Sequence, residues 1–423
     1  MNAVHSLSLV LALAFAAPVF FTAAHAEYLP DPAAAEAALW ASPMVTQARG
    51  EFAAQTLRGQ SLQRGREEWT VGADLAQRRL ETPRDTQAEW GLALSRPLRL
   101  PARAAADRAL AGALTAYAEA SLGEALHESG RQLLGLWFGW LNEASQARLW
   151  RAQLALAEQQ LGNVNARIRL GEAPRSERVN AEAALAQVRL QQQQAATREQ
   201  QARNRLRAQF PELPVTTDGS LPQPEQPTGM ADDYVNAVLE HNHELFRARR
   251  QAEVLQAEAR QLAKRRSADP HVGVFYKNEA GGNEHVLGLN VGLTLPGAAR
   301  RTDQQAAEQL GATAQNAAIQ MEQRLRQEAR ADFEAAIAQT ANWQQADRAA
   351  QAQAEAARLA ALAYSLGEGN LDQVLINRRL ALESQLMAQQ AQLDALSAHA
   401  RLKLDSHQLW PLDVDADSGH AHP

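Results

Sequence analysis

The feature that most constrains this chain is a pair of very long helical segments that end in the same tripeptide. Apolar and alanine side chains recur three and four residues apart at about 102–168 and about 298–364, a spacing typical of an amphipathic helix. Leu-Gly-Glu follows each segment, and shorter helical patterns resume at about 176–210 and 371–409. A helix of about 65 residues is roughly 100 Å long. No single globular core covers such a rod, so we expect several rods to pack side by side.

The chain contains two copies of one unit. Leu-x-Leu-Pro precedes each long helix and ends at Pro101 in the first half and Pro296 in the second. From these prolines to the glycine of the tripeptide is 70 positions to Gly171 and 71 positions to Gly367. Self-similarity at a fixed period indicates an internal repeat. We interpret the chain as a duplication.

Two segments with a period of two residues precede each Leu-x-Leu-Pro. They predict strands at about 66–80 and 86–100 in the first unit, and at about 270–278 and 285–296 in the second. Leu, Val and Trp occupy one face of these strands, and Gly, Ser, Asn and Thr occupy the other. Four strands alone cannot cover an apolar face or close their own edges. We therefore expect several chains to share one barrel, with the apolar face toward lipid and the polar face toward a water-filled lumen.

The N-terminal segment 1–26 predicts a signal peptide. It contains no Asp, Glu, Lys or Arg, has an apolar run and ends in Ala-His-Ala before Glu27. An uncleaved membrane anchor is the alternative.

The mature chain divides into four predicted parts. These are a first repeat at 27–211, a Pro-rich linker at 212–230, a second repeat at 231–411 and a disordered tail at 412–423.

Composition excludes several classes of function. The chain has no cysteine, so it has neither disulfides nor thiolate chemistry, and its net charge of −6 indicates no nucleic-acid partner. No phosphate-binding loop or catalytic triad emerges, and we expect a protein that is not an enzyme and has no cofactor. The end of the chain carries histidines and aspartates that form at most a weak metal site, so no metal site is predicted; they are His407, Asp413, Asp415, Asp417, His420 and His422. His241 and His243 are expected to be surface residues that face different directions on a helix.

The order of a strand hairpin, a long helix, a glycine turn and a shorter helix, occurring twice, resembles the TolC family of bacterial outer-membrane efflux ducts. The stretch AYSLGEGNLDQVL is similar to the turn at the family's periplasmic tip, and LGEAPRSERVNAEAALAQ is similar to the other tip. The stretch LWFGWLNEASQARLWRAQLALAEQQL is similar to the family's first long helix. Compact length and Gly-Glu tips most resemble the CzcC-like branch, which serves heavy-metal resistance pumps.

The resemblance implies an α+β membrane duct. Three chains would form a homotrimer with a twelve-stranded β-barrel in the lipid of the Gram-negative outer membrane and a coiled-coil tunnel in the periplasm. The tips would dock onto a periplasmic membrane-fusion adaptor, which is joined to an inner-membrane pump of the resistance-nodulation-division (RND) type. The candidate docking residues are Arg169, Leu170, Gly171, Glu172, Tyr364, Ser365, Leu366, Gly367 and Glu368.

The chain departs from the family at the periplasmic aperture. The best-known member narrows this aperture with two aspartates, six and nine positions after the second tip glycine. Gln373 and Ile376 occupy those positions here, while Asp372 lies next to them and Glu177 is the equivalent in the first repeat. These four residues are the aperture candidates, and a closed state must be held in another way.

The expected function is passive conduction from pump and adaptor to the outside, with heavy-metal cations such as cobalt, zinc, cadmium or nickel as cargo. One alternative keeps the fold and assigns it to type I secretion or to drug efflux. Another is a soluble periplasmic coiled-coil adaptor or chaperone, which would leave the four strands without a role.

Overall fold

The computed structural model describes residues 28–65, 67–216, 221–410 and 412. The predicted signal peptide at 1–26 lies outside these residues, as does the predicted disordered tail apart from Leu412.

Both repeats contain two short helices, a strand hairpin and two long helices, in that order. The first repeat comprises α1 (Pro32–Ala41), α2 (Pro43–Arg64), β1 (Thr70–Glu81), β2 (Arg84–Pro97), α3 (Pro101–Arg169) and α4 (Arg175–Gln209). The second comprises α5 (Ala231–His241), α6 (His243–Lys264), β3 (Asp269–Glu279), β4 (Glu284–Thr294), α7 (Ala299–Ser365) and α8 (Leu371–Asp405). The predicted repeats at 27–211 and 231–411 contain these elements, but α1, α2 and most of α6 were not assigned as helices from the sequence.

The short helices break at equivalent positions in the two repeats. Ser42 separates α1 from α2, and its Oγ accepts a hydrogen bond of 3.4 Å from the Val45 N–H. Asn242 separates α5 from α6, and its Oδ1 accepts one of 2.7 Å from the Leu245 N–H. Each side chain satisfies an amide that has no partner in the first helical turn. The break is therefore encoded by a capping residue in both repeats.

The strands form one antiparallel sheet in the order β1-β2-β3-β4. Strand β2 pairs with β3 from Trp90↔Asn278 to Pro97↔His271, so the hairpins of the two repeats are joined to each other. Strands β1 and β4 are the edges, and each has a single neighbouring strand among the described residues. Strand β1 begins at Thr70 rather than near 66, and β4 ends at Thr294 rather than near 296.

The two faces of the sheet differ in polarity. Pairing places Leu75 opposite Trp90 and Val274 opposite Leu289 on the same face. The side chains of this apolar face are largely exposed, to 81% at Leu287 and 80% at Leu289. The opposite face is polar, and on it Arg78 Nε lies 2.8 Å from Glu89 Oε1. One face thus presents leucine and valine to its surroundings, and the other presents paired charges.

The largest apolar core lies midway along α3, where the C-terminal parts of α4 and α8 pack against it. Trp137 and Trp140 of α3 are fully buried there, and Trp137 Nε1 donates a 2.8 Å hydrogen bond to the Tyr28 carbonyl. Leu213 and Val215 belong to the same core, so this part of the predicted linker at 212–230 packs against the helices. Helix α8 ends at Asp405, not near 409 as predicted. Trp410 lies beyond this end and also packs into the core.

Within the described ranges, no helix is both long enough and apolar enough to cross a bilayer.

Candidate docking site at the helical tips

The two long hairpins end in turns with the same backbone conformation. Gly171 and Gly367 both have φ of +79°, the left-handed region that glycine adopts without steric cost. A Cβ at either glycine would meet open space, with no neighbouring heavy atom within 4 Å. The requirement for glycine at the tips is therefore conformational and does not come from crowding.

Hydrogen bonds at the tips define a Schellman motif at each helix end. In the first tip the Glu172 N–H donates to the Arg167 carbonyl at 2.9 Å, and the Gly171 N–H donates to the Ile168 carbonyl at 3.1 Å. This pattern satisfies carbonyls that the helix leaves without a partner. The equivalent bonds in the second tip join Glu368 to Ala363 at 2.9 Å and Gly367 to Tyr364 at 3.2 Å. The two Leu-Gly-Glu tripeptides thus form equivalent turns.

An apolar cluster just inside the turns holds the two hairpins together. Val164 of α3, Ala181 of α4, Tyr364 of α7 and Val374 of α8 are all buried in it. Each of the four long helices therefore contributes a side chain. Packing of this kind aligns the ends of both hairpins.

Polar contacts also cross the boundary between the α3–α4 hairpin and the α7–α8 hairpin, which we call the seam. The Tyr364 hydroxyl donates a 2.5 Å hydrogen bond to Glu177 Oε2, and the Arg167 guanidinium lies 4.4 Å from the centre of the tyrosine ring. Burial, together with the hydrogen bond to Glu177, raises the pKa of Tyr364 to about 12. The phenol therefore stays protonated near neutral pH and remains a donor.

The four aperture candidates have different surroundings. Glu177 is bonded to Tyr364, and Asp372 Oδ1 accepts a 3.0 Å hydrogen bond from Asn180 Nδ2 of the other hairpin. The Gln373 N–H donates to the capping residue at the start of α8. Ile376 is half-exposed and lines a cavity of about 530 Å³ between α3, α4 and α8. The structure thus brings two candidates into contacts across the seam.

Eight of the nine docking candidates lie at the surface of the tips, and Tyr364 does not. Leu170 and Leu366 are 73% and 66% exposed at the ends of the rods. Tyr364 is only 6% exposed, so its side chain supports the tips from beneath. We call the exposed residues the tip surface; they are Arg169, Leu170, Gly171, Glu172, Ser365, Leu366, Gly367 and Glu368.

Two residues of the seam were missed from the sequence. Arg167 lies at the last turn of α3, where a basic residue is common in any helix. Asn180 lies on the first turns of α4 within an otherwise polar stretch. Neither position carries a pattern that distinguishes it, because its partner is nearly 200 residues away in the sequence.

The tips and the rest of the described chain show no metal-binding geometry. Within the described chain, no group of three or more His, Cys, Asp or Glu residues is arranged to hold a metal ion. His420 and His422 of the tail lie outside the described residues.

Comparison with known proteins gives likeness in structure only. No family model matches the chain, and no curated protein matches it in sequence. The outer-membrane channel OprN is similar in structure, with a TM-score of 0.74, 16% identity and coverage of 90% of each chain. The CmeC outer-membrane channel of Campylobacter jejuni has a TM-score of 0.74 at 13% identity, covering 90% of this chain and 86% of its own. The outer-membrane protein VceC of Vibrio cholerae has a TM-score of 0.68 at 17% identity, covering 90% of this chain and 99% of its own. The predicted fold is thereby confirmed in outline, a mostly helical chain with a small antiparallel sheet, and it is the fold of these outer-membrane channel proteins.

Proposed function

We propose that this chain is a member of the TolC family and that it is the outer-membrane channel of a tripartite RND efflux system. One observation carries the proposal. The sheet presents its leucine and valine side chains outward, uncovered by any other element of the described chain. Large exposed apolar patches mark an interaction with a partner or a membrane. Fully burying one leucine or valine contributes about 1.5–3 kcal/mol, so a face of this size has a strong preference for an apolar medium.

The edges of the sheet support a trimer. Strands β1 and β4 each lack a neighbour on one side in the described chain, and unpaired strand edges are not tolerated in lipid. Three chains joined edge to edge would close a twelve-stranded barrel in which every strand has two neighbours. The polar face, with its Arg78–Glu89 ion pair, would line the lumen.

The tip surface supports docking onto a periplasmic membrane-fusion adaptor. Leu170 and Leu366 project an apolar side chain from each turn, with Glu172 and Glu368 beside them. An apolar centre with a charged rim is common in protein interfaces. The seam beneath these turns fixes their spacing, so the adaptor would meet two preformed knobs on each chain.

The periplasmic mouth would be narrowed by the seam rather than by an acidic ring. Glu177 and Asp372 bond to the opposite hairpin through Tyr364 and Asn180. Opening the mouth by separating the hairpins would break both contacts. Gln373 and Ile376, in the positions of the family's aspartates, carry no charge that could repel or select an ion.

The channel is a passive conduit whose driving force comes from the pump. Heavy-metal cations such as cobalt, zinc, cadmium or nickel are the proposed cargo, and the Gly-Glu tips that resemble the CzcC-like branch support this choice. A strain lacking the gene, tested for tolerance to each of these cations, is expected to be more sensitive to at least one of them. Unchanged tolerance to all of them would overturn the metal assignment and leave drug efflux or type I secretion.

Substitutions on the two faces of β4 test the location in lipid. Leu289→Arg places a charge on the apolar face, which costs about 2–4 kcal/mol at the bilayer midplane. Asn290→Arg places the same charge on the polar face and is the matched control. Membrane fractionation and heat-modifiable migration in detergent are expected to show loss of the membrane trimer for Leu289→Arg only. Recovery of the unaltered chain in the soluble periplasm would overturn the proposal in favour of a soluble coiled-coil adaptor or chaperone.

A further inference from the structure

Four histidine rings from three distant segments of the chain meet at one point of the fold. His127 lies on α3, His241 ends α5, His243 begins α6, and His407 follows the end of α8. The centre of the His407 ring lies 5.0 Å from that of His243, 5.2 Å from that of His241 and 5.7 Å from that of His127. We call this group the histidine cluster. His241 is exposed, as expected from the sequence, but its ring and that of His243 both contact His407 instead of facing different directions.

The histidine cluster joins three segments of the chain. His127 is almost completely buried, and His407 has a positive φ of 56°. Gly123, one turn before His127, makes room for the His243 ring, since a Cβ at this glycine would lie 2.5 Å from His243 Nδ1. The cluster therefore holds the chain beyond α8 against α3 and against the break between α5 and α6.

Charged groups surround the cluster on every element that packs against it. Asp405 is the buried carboxylate nearest to it, and its Oδ1 lies 3.4 Å from His127 Nε2 and 3.0 Å from Arg131 Nε. This carboxylate is thus already paired with an arginine and is only partly available to neutralise an imidazolium. The other titratable groups around the region are Glu124 and Glu128 of α3, Glu244 and Arg247 of α6, Asp332 of α7, and Arg401 of α8.

We propose that the histidine cluster is a pH-sensitive latch, which holds the turn at residues 406–409, including His407, in place near neutral pH and loosens it on acidification. Neutral imidazoles pack closely without repulsion. Protonating two rings whose centres are about 5 Å apart at this partly buried position places like charges together where water screens them only in part. Moving the segment that carries His407 outward would relieve this repulsion.

The pKa values agree in direction with such a latch. Burial, reinforced by Arg131 and by the neighbouring imidazoles, lowers the pKa of His127 to about 3. A histidine with a lowered pKa stabilises the closed state above its ordinary pKa of about 6.5, and this stabilisation is lost as the pH falls. Each histidine that takes up a proton only on opening raises the opening equilibrium constant about tenfold per pH unit below 6.5.

Glu124 titrates in the opposite sense. Burial raises its pKa to about 7, so it stabilises the folded chain at low pH and loses this contribution as the pH rises. Comparing variants that all retain Glu124 cancels its effect. The contribution of a histidine is then the difference in pH response between the chain with that histidine and the variant without it.

A spin label on Gln408 measures the opening directly. The chain has no cysteine, so Gln408→Cys provides a single labelling site on an exposed side chain next to His407. In the full chain purified in detergent, the mobile fraction of the label is expected to increase between pH 8 and pH 5. At pH 5 one histidine accounts for about a thirty-fold rise in the opening equilibrium constant. Helix content by circular dichroism is expected to stay constant, because only the turn at residues 406–409 moves.

Histidine substitutions in the labelled chain assign the response. His127→Gln removes the buried proton acceptor and is expected to reduce the rise at pH 5 by about thirty-fold. His407→Asn removes the ring that contacts the other three and is also expected to reduce the rise. His285→Asn, on β4 and outside the cluster, is the matched control and should retain the full response. If His127→Gln does not fold, His407→Asn alone decides, since residue 407 lies outside the helices.

Two results would overturn the latch. One is a label whose mobility does not change between pH 8 and pH 5. The other is a full response that persists in His407→Asn. Neither result depends on the transport role, because the measurement requires only the folded chain.

Discussion

Tyr364 combines several contacts at the seam between the two hairpins in one side chain. Its ring packs against Val374 and under the Arg167 guanidinium, and its hydroxyl binds Glu177. A tyrosine suits this position because its ring fills an apolar site while its hydroxyl reaches a polar partner. The sequence identified the residue as part of the tip but assigned it to docking. Its supporting role became visible only from its burial.

Tyr364→Phe should loosen the tips without disturbing the fold. The substitution keeps the ring and removes the hydrogen bond to Glu177. The expected cost is about 1–2 kcal/mol, since a bond to a charged partner is lost but the carboxylate is only half-buried and can be hydrated. Native-state hydrogen exchange of the last turn of α7 measures the change.

A double-mutant cycle with Glu177→Gln tests whether the two side chains act together. If the pair is coupled, the double variant should be destabilised by at least about 0.5 kcal/mol less than the sum of the two single variants. Strictly additive effects would show that the short contact contributes nothing at the seam.

The elements of the fold follow local chemistry to different degrees. The ends of α3 and α7 are set by glycine, and their Schellman turns coincide with the tripeptide that the sequence repeats. Helix α2 lacked such a pattern. Of its residues only Val45 and Gly59 are buried, so no apolar stripe marks its inner face. A helix that packs through small side chains leaves little periodicity to detect.

Two alanine substitutions near the end of α3 should change its stability in opposite directions. Gly171→Ala forces a left-handed conformation on a residue with a Cβ and should cost about 1–2 kcal/mol. Gly162→Ala, in the helical interior with open space around the new Cβ, should stabilise α3 by about 0.5–1 kcal/mol. Hydrogen exchange of the last two turns of α3 compares them. Equal shifts of the same sign would contradict the assigned role of the tip glycine.

At the scale of the molecule, the fold leaves its sheet incomplete. Strands β1 and β4 lie at opposite edges, separated by β2 and β3. The rods cross-brace one another, with α3 packing against α2, α4, α6 and α8. The helices thus share a packed core, whereas the sheet has an open apolar face and two open edges. The proposed trimer follows from this difference.

Engineered cysteines should link β1 of one chain to β4 of another. The test combines Val71→Cys with a cysteine at one β4 position of the apolar face at a time: Leu287, Leu289, Val291 or Leu293. Facing residues of antiparallel strands have Cα atoms about 4.5–5.5 Å apart, within reach of a disulfide. Non-reducing electrophoresis should show a covalent species of about three times the chain mass for the pair in register.

The matched control for this cross-link lies within one chain. Val71 faces Leu94 across the β1–β2 ladder, so Val71→Cys with Leu94→Cys should yield a disulfide inside a single chain and a band of monomer mass. Monomer bands for every β1–β4 pair would contradict edge-to-edge assembly.

The sequence by itself determined the features that depend on neighbouring residues. The duplication, the long rods, the glycine turns and the two-faced strands all follow from periodicity and from backbone stereochemistry, which are local properties. Even the positive φ at Gly171 and Gly367 is implied by a glycine at the end of a helical pattern.

Only the tertiary structure decided which of these elements meet. The pairing of β2 with β3, the buried contact of 3.0 Å between Ser42 Oγ and Ser129 Oγ, and the gathering of four histidines all join residues far apart in the sequence. No local pattern encodes such contacts, because they depend on how long helices with similar, mostly small side chains pack against one another. The two sites that matter most here, the seam and the histidine cluster, are both of this kind.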